Sequence, residues 1–369
     1  MSPWRRNALI GAGVALAATA IGATAFLLTR SEEPAPSTTT TTTTTTASTT
    51  SVPPEATGPI APLTGLVVPD TDPEAVARLQ RPALAAKIDN APQAMPQVGL
   101  DRADIVIELR VEGISRFIAV VHSQQVDELG PIRSARTSDP DLLAMFVRPL
   151  FAWSGGNPKV IGQIRSTPWI QSLTPDQVRG AYSRSSAKRA PHNLIADVER
   201  LYRAADEPPA LPVPVVGYLT RDADPGGAPV PGLSVSVGAS SSTYVWDADA
   251  ERWFRWAGST PQRVRGGEQV SAANVVVLAT PYTASSADPR SPEAQTLGSG
   301  SAWVFTGGRV VEGRWERAEP ASPWRLTRDD GSPILLTPGV TWVALPSPDD
   351  PPRPLSTAAA ERLLDQRDD

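Results

Sequence analysis

Between Asp104 and Glu112 apolar and polar side chains alternate. Ile105, Ile107, Leu109 and Val111 fall on one side, and Asp104, Glu108, Arg110 and Glu112 on the other. A period of two predicts a strand with one buried face. Residues 81–90, RPALAAKIDN, predict a short strand ending in polar groups. Residues 116–123, RFIAVVHS, predict another, joined to the alternating strand by a hairpin over residues 112–115. Helical spacing appears in DPDLLAMFV, residues 139–147, with Ser138 or Asp139 as N-cap. It appears again after His192, where Leu194, Ile195, Val198, Leu201 and Tyr202 share a face and Asn193 stands in the N-cap position. A Pro/Gly-rich stretch over residues 207–232 reads as a connector. Beyond it the pattern is strand only: two strands around a 247–251 turn, the apolar run ANVVVLATPY, and hairpins at Gly307-Gly308 and Asp330-Gly331. The expected fold class is α+β. A mixed α/β domain over residues 61–206 precedes a smaller, mainly antiparallel β domain over 233–348, and a tail, 349–369, follows, with one loose helix expected after Pro354.

The N-terminus changes the compartment. Arg5 and Arg6 precede an uncharged run over residues 7–28. About 20 apolar residues cross the hydrocarbon core of a bilayer, and basic residues ahead of the span keep that end in the cytoplasm. Residues 1–30 are therefore expected to form a transmembrane anchor, single-pass, with an extracytoplasmic globular part. The alternative is a cleaved signal segment, since Ala23-Thr24-Ala25 fits a cleavage site. Both export the rest. Residues 31–60 carry nine consecutive threonines, Thr38 to Thr46, and have nothing to bury, so they predict a disordered stalk.

Composition removes several function classes. The 369 residues carry a net charge of −5, which offers no global basic field for nucleic acid. There is no cysteine, hence no disulfide, thiolate nucleophile or thiolate metal site. With two histidines, His122 and His192, a histidine-rich zinc centre is not expected, and neither a metal nor a cofactor is called for. Seven of the ten tryptophans lie between Trp246 and Trp342, which reads as the core of the β domain, with a solvent-facing sugar platform as the alternative.

Several motifs then occur in a fixed order: PLTGL, KIDN, ADIVIE, EGISRF, GPIRSAR, RAPHNL, NVVVL, GSGSAWVFTGGRVVEGRW and LTPGVTWV. In this order the chain resembles the YerB-like family of bacterial envelope proteins (domain of unknown function 3048), over residues 62–346. The resemblance implies an N-terminal α/β part followed by a C-terminal β part. Many members are lipoproteins, whereas this chain has no cysteine to carry a lipid. No biochemical activity comes with the resemblance.

The polar motifs carry the candidate chemistry. GPIRSAR places Arg133 and Arg136 three residues apart around Ser134, with Arg116 at the hairpin end. Clustered guanidiniums grip carboxylate or phosphate. The alternative is internal pairing with Asp89, Asp104, Glu108 or Glu112. His192 beside Asp89 or Glu108 suits general base work, and Asn90 and Asn193 suit hydrogen bonds to a ligand oxygen. His122, on a strand, reads as structural. Ser185-Ser186-Ala187-Lys188 fits the S-x-x-K pattern of penicillin-recognising serines but lacks its K-T-G companion. Two functions compete: an envelope protein that binds an anionic cell-wall polymer or a partner protein through these arginines, and an envelope hydrolase or lyase using His192 with Asp89 or Glu108.

Overall fold

Ile105, Ile107, Leu109 and Val111 do alternate along a strand, Ile105–Val111, but both of its faces are buried. The reason lies in the sheet that receives it. In the computed structural model, which describes residues 57–220 and 223–368, eleven strands form one mixed sheet. Its order runs Arg325–Thr327, Arg309–Arg317, Gly298–Thr306, Asn274–Leu278, Thr341–Leu345, Ile105–Val111, Ile114–Val121, Leu84–Asp89, Leu150–Ala152 and Gln171–Leu173, with Ala228–Pro229 beside Arg309–Arg317. Thr341–Leu345 lies parallel to both Asn274–Leu278 and Ile105–Val111, so strands from the two halves of the chain are hydrogen-bonded neighbours.

Each face of this sheet has its own cover. Leu84, Ala86, Ile88, Val106 and Phe117 pack with Leu233, Tyr244 and Trp253 of a second, antiparallel sheet. That sheet is built on Gly232–Val237, Ser240–Asp247 and Arg252–Ala257. Ala85, Ile105, Ile107, Leu109 and Ile118 face the other way, onto Leu142, Leu143, Val160 and Ile164 of the helices Asp139–Ala144 and Pro158–Ser166. Of the seven tryptophans between 246 and 342, Trp253, Trp256, Trp315, Trp324 and Trp342 are buried, as core packing requires. The described residues are thus mainly β with few helices.

Two helical expectations are corrected. The first helix stops at Ala144, and its Ser138 makes no side-chain cap bond. After His192 the chain first makes a strand, Leu194–Asp197, between Glu128–Leu129 and Tyr182–Arg184. The helix is only Val198–Tyr202, capped by Asp197 rather than Asn193. Leu194 and Ile195 are buried strand residues, and two apolar positions in a row cannot tell the two conformations apart. The terminal helix, Thr357–Asp368, forms as expected and sets Ala360 and Leu363 against Val245 and Trp256. The expected anchor and stalk lie outside the described residues, apart from the stalk's end at residues 57–60. Among the described residues no helix is long and apolar enough to cross a membrane.

The hairpin at Gly307-Gly308 needs its glycines. Both have positive φ, 54° and 70°, and a Cβ on Gly308 would stand 2.6 Å from Trp246 Nε1. Gly308→Ala is therefore expected to cost about 2 kcal/mol, combining left-handed strain with a clash against a large ring. Gly331→Ala, also at positive φ but in open space, should cost about 1 kcal/mol. Urea unfolding of the two variants measures the difference.

Candidate ligand-binding site

The site collects at one end of the strands. Asp89 ends the strand Leu84–Asp89 and pairs in register with Arg116 of the neighbouring strand, so their side chains leave the sheet on the same face. The segment carrying Arg133 is strapped across that end by backbone bonds. Asp89 N donates to Pro131 O at 2.9 Å, Arg133 N to Lys87 O at 2.8 Å and Ile132 N to Leu194 O at 2.7 Å. The fully buried pair Lys87–Asp139, 2.7 Å apart, lies beneath. A carboxylate oxygen of Asp139 also accepts the Arg136 N–H at 2.8 Å. The loop over residues 185–193 closes the other side. Asn193 clasps it, donating to the carbonyls of Ser185 and Lys188 at 3.0 Å and accepting from Arg184 at 2.8 Å.

His192 Nδ1 stands 2.7 Å from Asp89 Oδ2, and Arg133 Nε stands 3.5 Å from the same oxygen. The Ala91 N–H donates to Oδ1 at 3.1 Å. Nε2 of His192 has no partner among the described residues, and the ring is 22% exposed. A carboxylate accepting from Nδ1–H leaves the lone pair on Nε2, the arrangement of a general base. Among the described residues no hydroxyl donates to that nitrogen.

Arg116 is the unusual member. It is 6% exposed, makes one long bond from Nη1 to Ser134 O at 3.4 Å, and its Nε has no partner. No carboxylate lies within ion-pairing distance of it among the described residues. Burial first, and then the neighbouring Arg136 and Arg133, push its pKa down to about 10. Arg136 is neutralised by Glu112 at 2.6 Å. Above Arg133 opens a cavity of about 200 Å³ lined by Arg133, Ser134, Ser154, Arg184 and Pro191. Four guanidiniums, of Arg116, Arg133, Arg136 and Arg184, thus stand with three carboxylates, Asp89, Glu112 and Asp288. The surplus is positive.

Two candidates do not join this group. Glu108 pairs in register with Phe117, one residue along from the Arg116 position, and so leaves the opposite face of the sheet. There it is fully buried against Arg255 at 3.0 Å, Ser115 Oγ at 2.7 Å and Trp342 Nε1 at 3.3 Å, and it cannot serve His192. Asn90, one residue past Asp89, turns the same way and donates to Ser115 Oγ at 2.7 Å. Lys188 of the S-x-x-K stretch donates to the carbonyls of Ala94 and Pro96 instead of meeting Ser185. His122 is buried, and burial first, then the neighbouring Arg81 guanidinium, pushes its pKa down to about 4. Among the described residues no group of three or more acidic or histidine side chains could hold a metal. Arg184, Ser154, Asn157, Asp288 and Ser291 also line the site and were not expected; only Ser154 and Asn157 had a signal, the Gly-rich turn Ser154-Gly155-Gly156-Asn157, which lacks the G-K-[ST] of a phosphate-binding loop.

The comparisons agree with this architecture. Residues 63–210 match the model "Protein of unknown function (DUF3048) N-terminal domain", and residues 233–343 match the corresponding C-terminal domain. A curated relative, "Putative lipoprotein YerB" of Bacillus subtilis (strain 168), is 28% identical over 300 residues, covering 77% of this chain and 85% of the relative. The crystal structure of the YerB protein from Bacillus subtilis superposes with a TM-score of 0.68 at 24% identity, covering 80% of this chain and 99% of that one, a likeness of fold. With both domain models matched in order along the chain, this protein belongs to the DUF3048, YerB-like family.

Proposed function

We propose that this is an extracytoplasmic, membrane-tethered protein that binds an anionic ligand of the cell envelope, a cell-wall polymer or an acidic partner, over the Arg116–Arg133–Arg184 group. One observation carries the reading. Arg116 is buried without a carboxylate partner and is flanked by two further guanidiniums. Asp89 and Glu112 compensate this buried charge only from a distance, which leaves it costly, and an arriving anion would relieve that cost. The apolar run at residues 7–28 and the lipoprotein description of the Bacillus relative both support a place at the membrane surface.

The test is retention of the purified protein, in detergent, on isolated cell wall. Binding is expected at low salt and should weaken steeply as salt screens the charges. Arg133→Ala is expected to weaken it about tenfold or more, the worth of one charged hydrogen bond. No retention at low salt, or unchanged retention by the variant, would remove this reading.

The Asp89–His192 pair supports a second reading, a hydrolase or lyase of an envelope polymer in which Nε2 takes a proton from water or substrate. Incubating isolated polymer with the protein should then release new reducing ends or amines. His192→Ala should stop that release; product formed at an unchanged rate excludes the histidine from catalysis.

A further inference from the structure

The cavity above Arg133 shares its Ser134 wall with a second cavity of about 280 Å³, and the two differ in chemistry. Donors line the first: the guanidiniums of Arg133 and Arg184 and the Ser154 hydroxyl. Acceptors dominate the second, which is lined by the carboxylates of Glu112 and Asp288, with Ser291 and Asn157 beside them. Its guanidinium, Arg136, is already paired with Glu112, and Ser291 Oγ donates to the same Glu112 oxygen at 3.0 Å. Asp288 is met by its own turn, with Arg290 N at 3.1 Å and Nε at 3.6 Å. The Arg290 side chain is 91% exposed, so that pairing is solvated and weak.

A second anion entering this cavity would meet two carboxylates against one committed cation and be repelled. A hydroxyl is matched, because carboxylates accept short, strong hydrogen bonds from neutral O–H donors. The space also exceeds what a single hydroxyl fills and suits a sugar ring or short polyol. We infer that the ligand is an anionic carbohydrate. Its phosphate or carboxylate lies over Arg133 and Arg184, with the charge of the buried Arg116 nearby, and its hydroxyl-bearing unit sits past Ser134 against Glu112 and Asp288. This rests on the anion-binding reading above and adds the class of molecule.

Titration calorimetry of the full-length protein in detergent, at low salt, tests it with inorganic phosphate, glucose 1-phosphate and glucuronate. One of the two sugars is expected to bind about tenfold tighter than inorganic phosphate, and the sugar that does so tells phosphate from carboxylate. Asp288→Ala should reduce that preference to about threefold or less, and Ser291→Ala should lower it in the same direction. Inorganic phosphate binding as tightly as both sugars would overturn the inference and leave the anion-binding reading standing. So would a preference that survives in both variants. No binding of any of the three at low salt would overturn both.

Discussion

Arg255→Met is expected to lower the free energy of unfolding by about 3–5 kcal/mol, because it strands the buried Glu108 carboxylate between two sheets. Arg255 sits on the strand Arg252–Ala257 of the second sheet, and Glu108 on the central one; both side chains are fully buried and 3.0 Å apart. The guanidinium also donates to Tyr244 Oη at 3.0 Å and to Ser242 Oγ, and lies 4.6 Å from the Trp342 ring centre. Methionine replaces much of the volume and none of the charge. Urea unfolding at pH 7 measures the loss. A second substitution, Glu108→Leu, should return most of it, since an apolar pair of similar size removes the uncompensated charge. A loss that Glu108→Leu fails to return would mean that it comes from packing, not from the stranded carboxylate.

The same pair shows where sequence reasoning stopped. The alternation at residues 105–111 gave the strand, and glycine pairs and turn residues gave the hairpins at 307–308 and 330–331, because those signals are local. GPIRSAR and RAPHNL were legible as polar motifs beside Asp89, and the structure brings Asp89, Arg116, Arg133 and His192 to one end of the sheet. Which face Glu108 takes depends on the register of three strands, and its partner is 147 residues away. No local period encodes that. The long central sheet was illegible for the same reason. Thr341–Leu345 inserts beside Ile105–Val111 by parallel pairing, and the buried runs TWVAL and IVIEL reveal only that both are covered on two faces. Asn193 misled because Leu194 and Ile195 suit a helix and a strand equally; its amide closes the 185–193 loop instead of capping a helix.

Asp139→Asn is expected to cost about 3–5 kcal/mol and to weaken the site above it. Lys87 and Asp139 are both fully buried, and their 2.7 Å contact lies under the loop that presents Arg133 and Arg136. Burial pushes the Lys87 ammonium down to about 8; Asp139 opposes that shift, while Arg116 and Arg136 add to it. Between about 8 and the ordinary 10.5 the unfolded chain binds more protons than the native one, so stability gains as pH rises through this window. The burden of the buried charge is fully present below it. In Asp139→Asn the opposing carboxylate is gone and the folded-state pKa falls further, so the rise in stability should begin at lower pH and span more units. Unfolding in urea at intervals from pH 6 to 10, for wild type and variant, separates the two curves. An identical pH slope would show that the carboxylate does not hold the ammonium. The anion site should respond as well: Arg133 hangs from the Lys87 carbonyl and Arg136 from the Asp139 carboxylate. Weaker retention on cell wall by a variant that is still folded would tie the buried pair to the geometry of the arginines rather than to stability alone.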